Sequence, residues 1–421
     1  MVGVRGVRGR GRPLVIDAQR AALSSEFGAV EGRVWLNAAH QGPLPESARG
    51  ALSLAVSEKS SPWRMDAEDF AAVPSRLRES LAQLLGAPAE EIALANSASY
   101  GLDQLARALP LRAGDEVLLV EGDFPATVLA WLALSRRGVR IRFLELGDDG
   151  LPAEALAAAI GPRTRVFCTS WTFSFTGHTL DLDRLGQLCR ERDVRLIVNG
   201  SQAVGSRPVD VTRLPIDALV GCGHKWLCGP YATGYLWLGD ELLDGLEPAS
   251  PYWQRISDLG SLADSDPTYT LGSGARQAAD YDVFATGNFF NVRPWTAAID
   301  HLLAIGLDRI EAHNQALVDQ LTVGLDNHGF TLVSPHLHAG HSALVLASHR
   351  DPAMNRQIAQ ALAESGIDVA LRNNRLRFSP HLYNTRDEIE RTLETLAPLS
   401  GTGTMRRPRP ATSAAASTVC R

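Results

Sequence analysis

Residues 194–238 read VRLIVNGSQAVGSRPVDVTRLPIDALVGCGHKWLCGPYATGYLWL. Three short apolar runs stand out: Arg195–Val198, Ala218–Val220 and Gly234–Leu238. Each is bounded by Gly, Pro or Asn, the pattern of short buried strands. Lys225 lies in Gly223-His224-Lys225-Trp226, after the strand-like DALV and before a Gly-Pro turn. A lysine closing such a strand-to-loop edge is placed where a Schiff base can form. By itself the His-Lys pair is equally a chance surface pair, so the neighbouring sequence has to decide.

Upstream, the same alternation continues. Glu116–Val120, Arg140–Leu144 and Arg165–Thr169 read as strands, and 126–137, 151–160 and 180–192 as helices between them. Strands alternating with helices imply a mainly parallel sheet covered on both faces, with its site outside the carboxyl ends of the strands. Downstream, a helix is expected over 295–327, then a strand at Ser342–Ala347, a helix at Ala353–Ser365 and a hairpin at Val369–Ser379. A last helix is expected over Thr385–Leu396, with Thr385 and Glu388 forming a capping box. The fold class is therefore α/β, a large mainly parallel-sheet domain plus a small C-terminal α+β domain. Expected boundaries are a disordered 1–13, an N-terminal segment 14–43, a large domain 44–294, a small domain 295–398 and a disordered tail 399–421.

Composition narrows the function classes. The 421 residues are 45% hydrophobic and 21% charged, ordinary for a globular chain with a sizeable core. A net charge of -6 offers no basic field for nucleic acid. No apolar run reaches the about 18 residues of a membrane span, and Met1–Pro13 lacks a secretory signal's apolar stretch. A cytoplasmic protein is expected. The cysteines, Cys168, Cys189, Cys222, Cys228 and Cys420, form no CxxC pair and no Cys/His ligand spacing, so neither zinc nor a disulfide framework is indicated.

Across Val194–Leu238 the chain resembles the class V aminotransferase-fold family of pyridoxal-phosphate (PLP) enzymes. Cysteine desulfurases, isopenicillin N epimerase-like proteins, kynureninases and C–S lyases belong to it. The resemblance implies a fold-type I architecture with Lys225 carrying the cofactor, His224 helping to hold it and Gln202 bonding its phenolic oxygen. It places phosphate binding at Ala98 and Ser99, where Asn96-Ser97-Ala98-Ser99 opens a helix. A phosphate there meets free N–H groups and the helix dipole, although an ordinary N-cap reads the same way. Gly122-Asp123-Phe124-Pro125 is similar to the Phe-Pro form of kynureninase-like members, which implies that Phe124 stacks on the cofactor; a core Phe is the alternative. In LRFSPHLYNT (376–385), Arg377 takes the family's carboxylate-binding role, with a surface arginine as the alternative. Asn37 and His40, in 36–43, would face the substrate unless His40 is merely structural. Ala285-Thr286-Gly287-Asn288 aligns with a loop that reaches the neighbouring subunit's phosphate, which implies a homodimer with shared sites and Asn288 in place of threonine.

The departures are informative. Asn199 stands where the family has an aspartate that keeps the pyridine nitrogen protonated. An amide carries no charge, so the electron sink weakens, which argues against transamination and is better tolerated by elimination. Cys222 replaces a frequent phosphate-binding serine, and Ser174 lies near a frequent asparagine beside the ring oxygen. Residues 365–377, SGIDVALRNNRLR, contain no cysteine, so persulfide-forming sulfur transfer is not expected. The expected activity is β-elimination by a C–S lyase on an S-substituted cysteine, as in sulfur-containing natural-product pathways, in the isopenicillin N epimerase-like branch. Rival expectations are an epimerase, a decarboxylating or oxidative deaminase, and a cofactor-free binding protein of the same fold. Pro251, Tyr252, Trp253, Arg255 and Arg276 are the expected specificity loop.

Overall fold

The computed structural model describes residues 26–27, 32–66, 68–147, 150–246, 277–335 and 341–399. The proposed specificity loop and most of both expected disordered ends lie outside these residues.

The first strand among the described residues is β1 (Val34–Trp35), and the chain reaches the large domain through two helices, Glu46–Ser60 and Asp69–Leu85. The large sheet is built from β2 (Ile92–Ala95), β3 (Glu116–Val120), β4 (Arg140–Leu144), β5 (Thr164–Ser170), β6 (Arg195–Asn199), β7 (Ala218–Cys222) and β8 (Gly234–Leu238). Their order across the sheet is β2-β8-β7-β6-β5-β3-β4. The run β7-β6-β5-β3-β4 is parallel, whereas β8 is antiparallel to both β7 and β2. The chain between Cys222 and Gly234 holds no helix, and a parallel return needs a crossover of about a dozen residues or more, usually helical. It therefore turns back as a hairpin-like loop, and Lys225 sits in that loop.

Both faces of the sheet are covered. Leu118 and Val120 of β3 belong to one apolar cluster, Val117 and Leu119 to another. This two-sided burial is why the strands read as unbroken apolar runs instead of alternating ones. A third cluster, with Leu317, Leu321, Ile358, Phe378 and Ile389, forms the core of the small domain. That domain carries an antiparallel sheet in the order β12-β13-β10-β9, where β9 is Thr331–Leu332, β10 Val345–Ser348, β12 Ala370–Arg372 and β13 Arg375–Phe378. Between them, β11 (Ile367–Asp368) pairs in parallel with β1, so the N-terminal segment is stitched to the small domain.

The helix expected over 295–327 is two helices, Phe289–Ile305 and Leu307–Asn327. Gly306 separates them at φ 92°, a conformation that L side chains rarely adopt and that ends the first helix. The first packs against Glu46–Ser60 and Asp69–Leu85, on the large domain's side, so the boundary expected at 294/295 falls inside it. Thr385 caps Arg386–Leu396 as expected: its hydroxyl accepts from Glu388 N at 3.2 Å while Glu388 accepts from Thr385 N at 2.8 Å.

Candidate active site

The carboxyl ends of three adjacent strands converge on one cavity. Ser170 ends β5, Asn199 ends β6 and Cys222 ends β7, with Ser170 and Asn199 in register. Together with Ala39, His40, Ala98, Ser99, Phe124, Ser174, Ser201, Gln202, His224, Lys225, Arg372 and Arg377 they line a volume of about 220 Å³. The expected site is thus assembled from segments more than three hundred residues apart. Two expected members lie elsewhere. Asn37 is not among the lining residues; its carbonyl accepts from His40 N and Gln41 N at 3.0 and 3.1 Å, and its buried side-chain Oδ1 has no hydrogen-bond partner. Asn288 starts the helix Phe289–Ile305 and borders a different cavity with Thr286 and Gly287, so within one chain it does not reach this site.

Lys225 Nζ lies 5.4 Å from the centroid of the Phe124 ring. No hydrogen bond or ion pair reaches that amine among the described residues. Phe124 is 38% exposed and half-stacked on Phe175, so it presents an open aromatic face and not a core plug. Burial first, and the Lys225 charge second, depress the His224 pKa to about 4, leaving a neutral imidazole at neutral pH. His40 is also pushed down, by burial and then by Arg372, Arg377 and Lys225.

The lysine's peptide is held from both sides. Gly42 N donates to His224 O at 2.9 Å, and a Cβ on Gly42 would stand 2.3 Å from Lys225 O, so only glycine allows this approach. On the other side, His381 Nε2 donates to Trp226 O at 2.9 Å. His381 is fully buried, and its Nδ1 accepts from Asn314 Nδ2 at 3.2 Å. Burial drives its pKa to about 3, against the opposing pull of the Trp226 carbonyl.

Three observations test whether pyridoxal phosphate fits. The helix from Ala98 begins at the cavity; Ser97 caps it by accepting from Tyr100 N at 3.1 Å, which leaves the N–H groups of Ala98 and Ser99 without intrahelical acceptors. Ser201 Oγ is buried with no hydrogen-bond partner. An amine, an aromatic face and an amide at a strand end complete a donor set that suits an aldehyde, a flat ring and a ring nitrogen. The residues fit the cofactor. Gln202 is more committed than expected: its amide nitrogen donates to Ala39 O and Ser174 Oγ, and its oxygen accepts from Trp226 Nε1. The free donor beside it is therefore the Ser174 hydroxyl.

Arg377 is 2% exposed, with its Nε unpartnered and its Nη1 3.4 Å from Ser174 O. Burial, then repulsion from Arg372, lowers its pKa to about 10, so the guanidinium stays charged and underused. Arg372 is a site residue absent from the expectations. The signal for it was present: Asn373 and Asn374, at φ 47° and 55°, form a two-residue hairpin turn. That turn sets Arg372 opposite Arg375 and Ala370 opposite Arg377, all on one face.

This fold and site define a PLP-dependent enzyme of fold type I. The chain belongs to the class-V aminotransferase family, whose model matches residues 65–392; pyridoxal 5'-phosphate is that family's cofactor. Over 393 residues, 87% of this chain and 94% of the relative, it is 31% identical to isopenicillin N epimerase from Streptomyces clavuligerus. Two solved structures share the fold. The cystine C–S lyase C-DES, in complex with its product cysteine persulfide, has a TM-score of 0.79 at 23% identity, covering 88% of this chain and 99% of that one. A C-DES variant with glycine covalently linked to its PLP scores 0.80 at 24% identity, covering 89% and 98%. Among the described residues no group of three or more metal-ligating side chains occurs, and no helix is long and apolar enough to cross a membrane.

Proposed function

We propose that this protein is a PLP-dependent lyase that cleaves an S-substituted cysteine at Cβ, and that the substituent is anionic. The observation that carries the reading is the pairing of Arg372 with Arg377 at the Lys225 cavity, on a hairpin without cysteine. Two guanidinium groups in so small a space call for two anions, and an α-carboxylate satisfies only one. The tight Asn-Asn turn leaves no mobile loop and no thiol for persulfide transfer.

When bound, the cofactor supplies an electron sink for charge developing at the substrate's α-carbon. Lys225 anchors it and its Nζ takes the α-proton. The first-turn N–H groups of Ala98 and Ser99 hold the phosphate, Phe124 covers one ring face and Asn199 meets the ring nitrogen. Arg377 orients the α-carboxylate while Arg372 draws the substituent, so that the Cα–H bond lies near Lys225 and the Cβ–S bond breaks with departure of a thiolate. Neutral His224 and His40 add no charge to a site already holding the Arg372 and Arg377 guanidinium groups. We place the enzyme in the cytoplasm, as a homodimer whose Asn288 reaches across the subunit boundary, in the biosynthesis of a sulfur-containing natural product.

A second reading, epimerisation, is supported by the identity to isopenicillin N epimerase and by neutral His40, a second acid–base group beside Lys225. Incubating purified protein with S-conjugated cysteines, with and without an anionic substituent, separates the two by mass spectrometry. Elimination yields a keto acid, ammonia and a thiol, fastest from anionic conjugates, and Arg372→Gln removes that preference. Recovery of the amino acid with inverted configuration and no ammonia would replace the lyase reading with the epimerase. Absence of a Lys225-dependent cofactor absorbance band, tested with Lys225→Ala, would sink both.

A further inference from the structure

We propose that Asp123 supplies the counter-charge for the cofactor's ring nitrogen, acting as a positioning residue through Ser170, Thr127 and Asn199. The proposal rests on the assignment of Asn199 to that nitrogen made above. Asp123 follows β3 at the same edge of the sheet and is 8% exposed. Its carboxylate accepts from Ser170 Oγ at 2.6 Å, Ser170 N at 2.8 Å and Phe124 N at 2.5 Å. Burial raises its pKa, while the Ser170 hydroxyl and amide, the Phe124 amide and the Thr127 hydroxyl favour the charged form. No lysine, arginine or histidine forms an ion pair with Asp123 among the described residues. A buried carboxylate with donors but no cation is costly, and a positively charged ligand would relieve that cost.

The hydrogen bonds show where the charge is directed. Because Ser170 gives its hydroxyl hydrogen to Asp123, its lone pair is left for Thr127 Oγ1 at 3.2 Å. Thr127, donating to Ser170, in turn accepts from Asn199 Nδ2 at 3.0 Å. Each donor in the chain therefore points toward Asp123. At its other end the Asn199 amide is fixed by Ser201 N, which donates to Oδ1 at 3.1 Å. The network thus decides which end of the amide is nitrogen, and both ends are locked. An aspartate at 199 would hold its charge in contact with the ring nitrogen. Here an amide makes the contact and the charge sits behind it, linked through the Thr127 and Ser170 hydroxyls, so the ring nitrogen keeps its proton despite the neutral side chain.

The test uses holoenzyme loaded with pyridoxal phosphate labelled with nitrogen-15 in the ring, read by nuclear magnetic resonance at neutral pH. Wild type is expected at the protonated-pyridine position and Asp123→Asn at the free-base position. The Asp123→Asn/Asn199→Asp double variant should return the signal to the first. Cofactor affinity should fall on the order of tenfold in Asp123→Asn, the size of one charge acting over roughly 10 Å at an effective dielectric of about 20. If Asp123→Asn does not fold, Thr127→Val cuts the same chain and should move the resonance the same way by less. A signal that stays put in whichever variant folds, or an unprotonated wild type, overturns the proposal while leaving the cofactor assignment intact. Failure of wild type to attach the cofactor overturns both.

Discussion

His381 makes the small domain's grip on the lysine loop sensitive to acid. Its ring is fully buried, donates to Trp226 O and accepts from Asn314 Nδ2, an arrangement that only the neutral form can make. Its folded pKa is about 3, against 6.5 when exposed. The unfolded chain therefore binds a proton that the folded chain refuses, and stability present at neutral pH is lost as pH falls below the unfolded value. By about pH 5 this one residue should cost about 2 kcal/mol. Urea unfolding of wild type and His381→Gln at about pH 7 and about pH 5 isolates the effect, since the other histidines are common to both. His381→Gln is expected to be the less stable at neutral pH, because it weakens the bond to Trp226 O, but to lose about 2 kcal/mol less on acidification. Equal losses in the two proteins would refute the assignment of a neutral, acid-sensitive bridge.

Two further outcomes follow from local geometry. Gly42→Ala drives a methyl into Lys225 O and should lower both thermal stability, by about 1–3 kcal/mol, and the fraction of protein carrying cofactor by absorbance. Thr385→Ala removes half of a capping box and should cost about 1 kcal/mol in denaturant unfolding, with cofactor content unchanged.

The large sheet was legible because most of its strands, edge strand β4 apart, are buried on both faces, so EVLLV and RLIVN stand out as uninterrupted apolar runs between Gly, Pro and charged residues. The helices Glu46–Ser60 and Asp69–Leu85 were not. The first buries only Ala48 and Ala55, too thin a stripe to show as a period, and the second carries Pro74 inside it. Within 295–327 the apolar spacing runs on through Gly306, whose left-handed turn leaves no trace in a periodicity. The candidate site was legible where the resemblance rests on a distinctive side chain in a recognisable stretch, as at Lys225, Phe124 and Arg377, which line one cavity. Arg372 was hidden because its position follows from hairpin register and not from its neighbours. Thr127, Ser170 and Ser201 are ordinary residues that matter only once β3, β5 and β6 lie side by side.

The two carbonyls flanking Lys225 are claimed by opposite ends of the polypeptide, His224 O by Gly42 and Trp226 O by His381. During synthesis the lysine leaves the ribosome roughly midway, long before its second clasp exists. A nascent chain lacks the hydrogen bond to Trp226 O until translation has passed residue 381. Full fixation of the lysine loop therefore waits for the small domain.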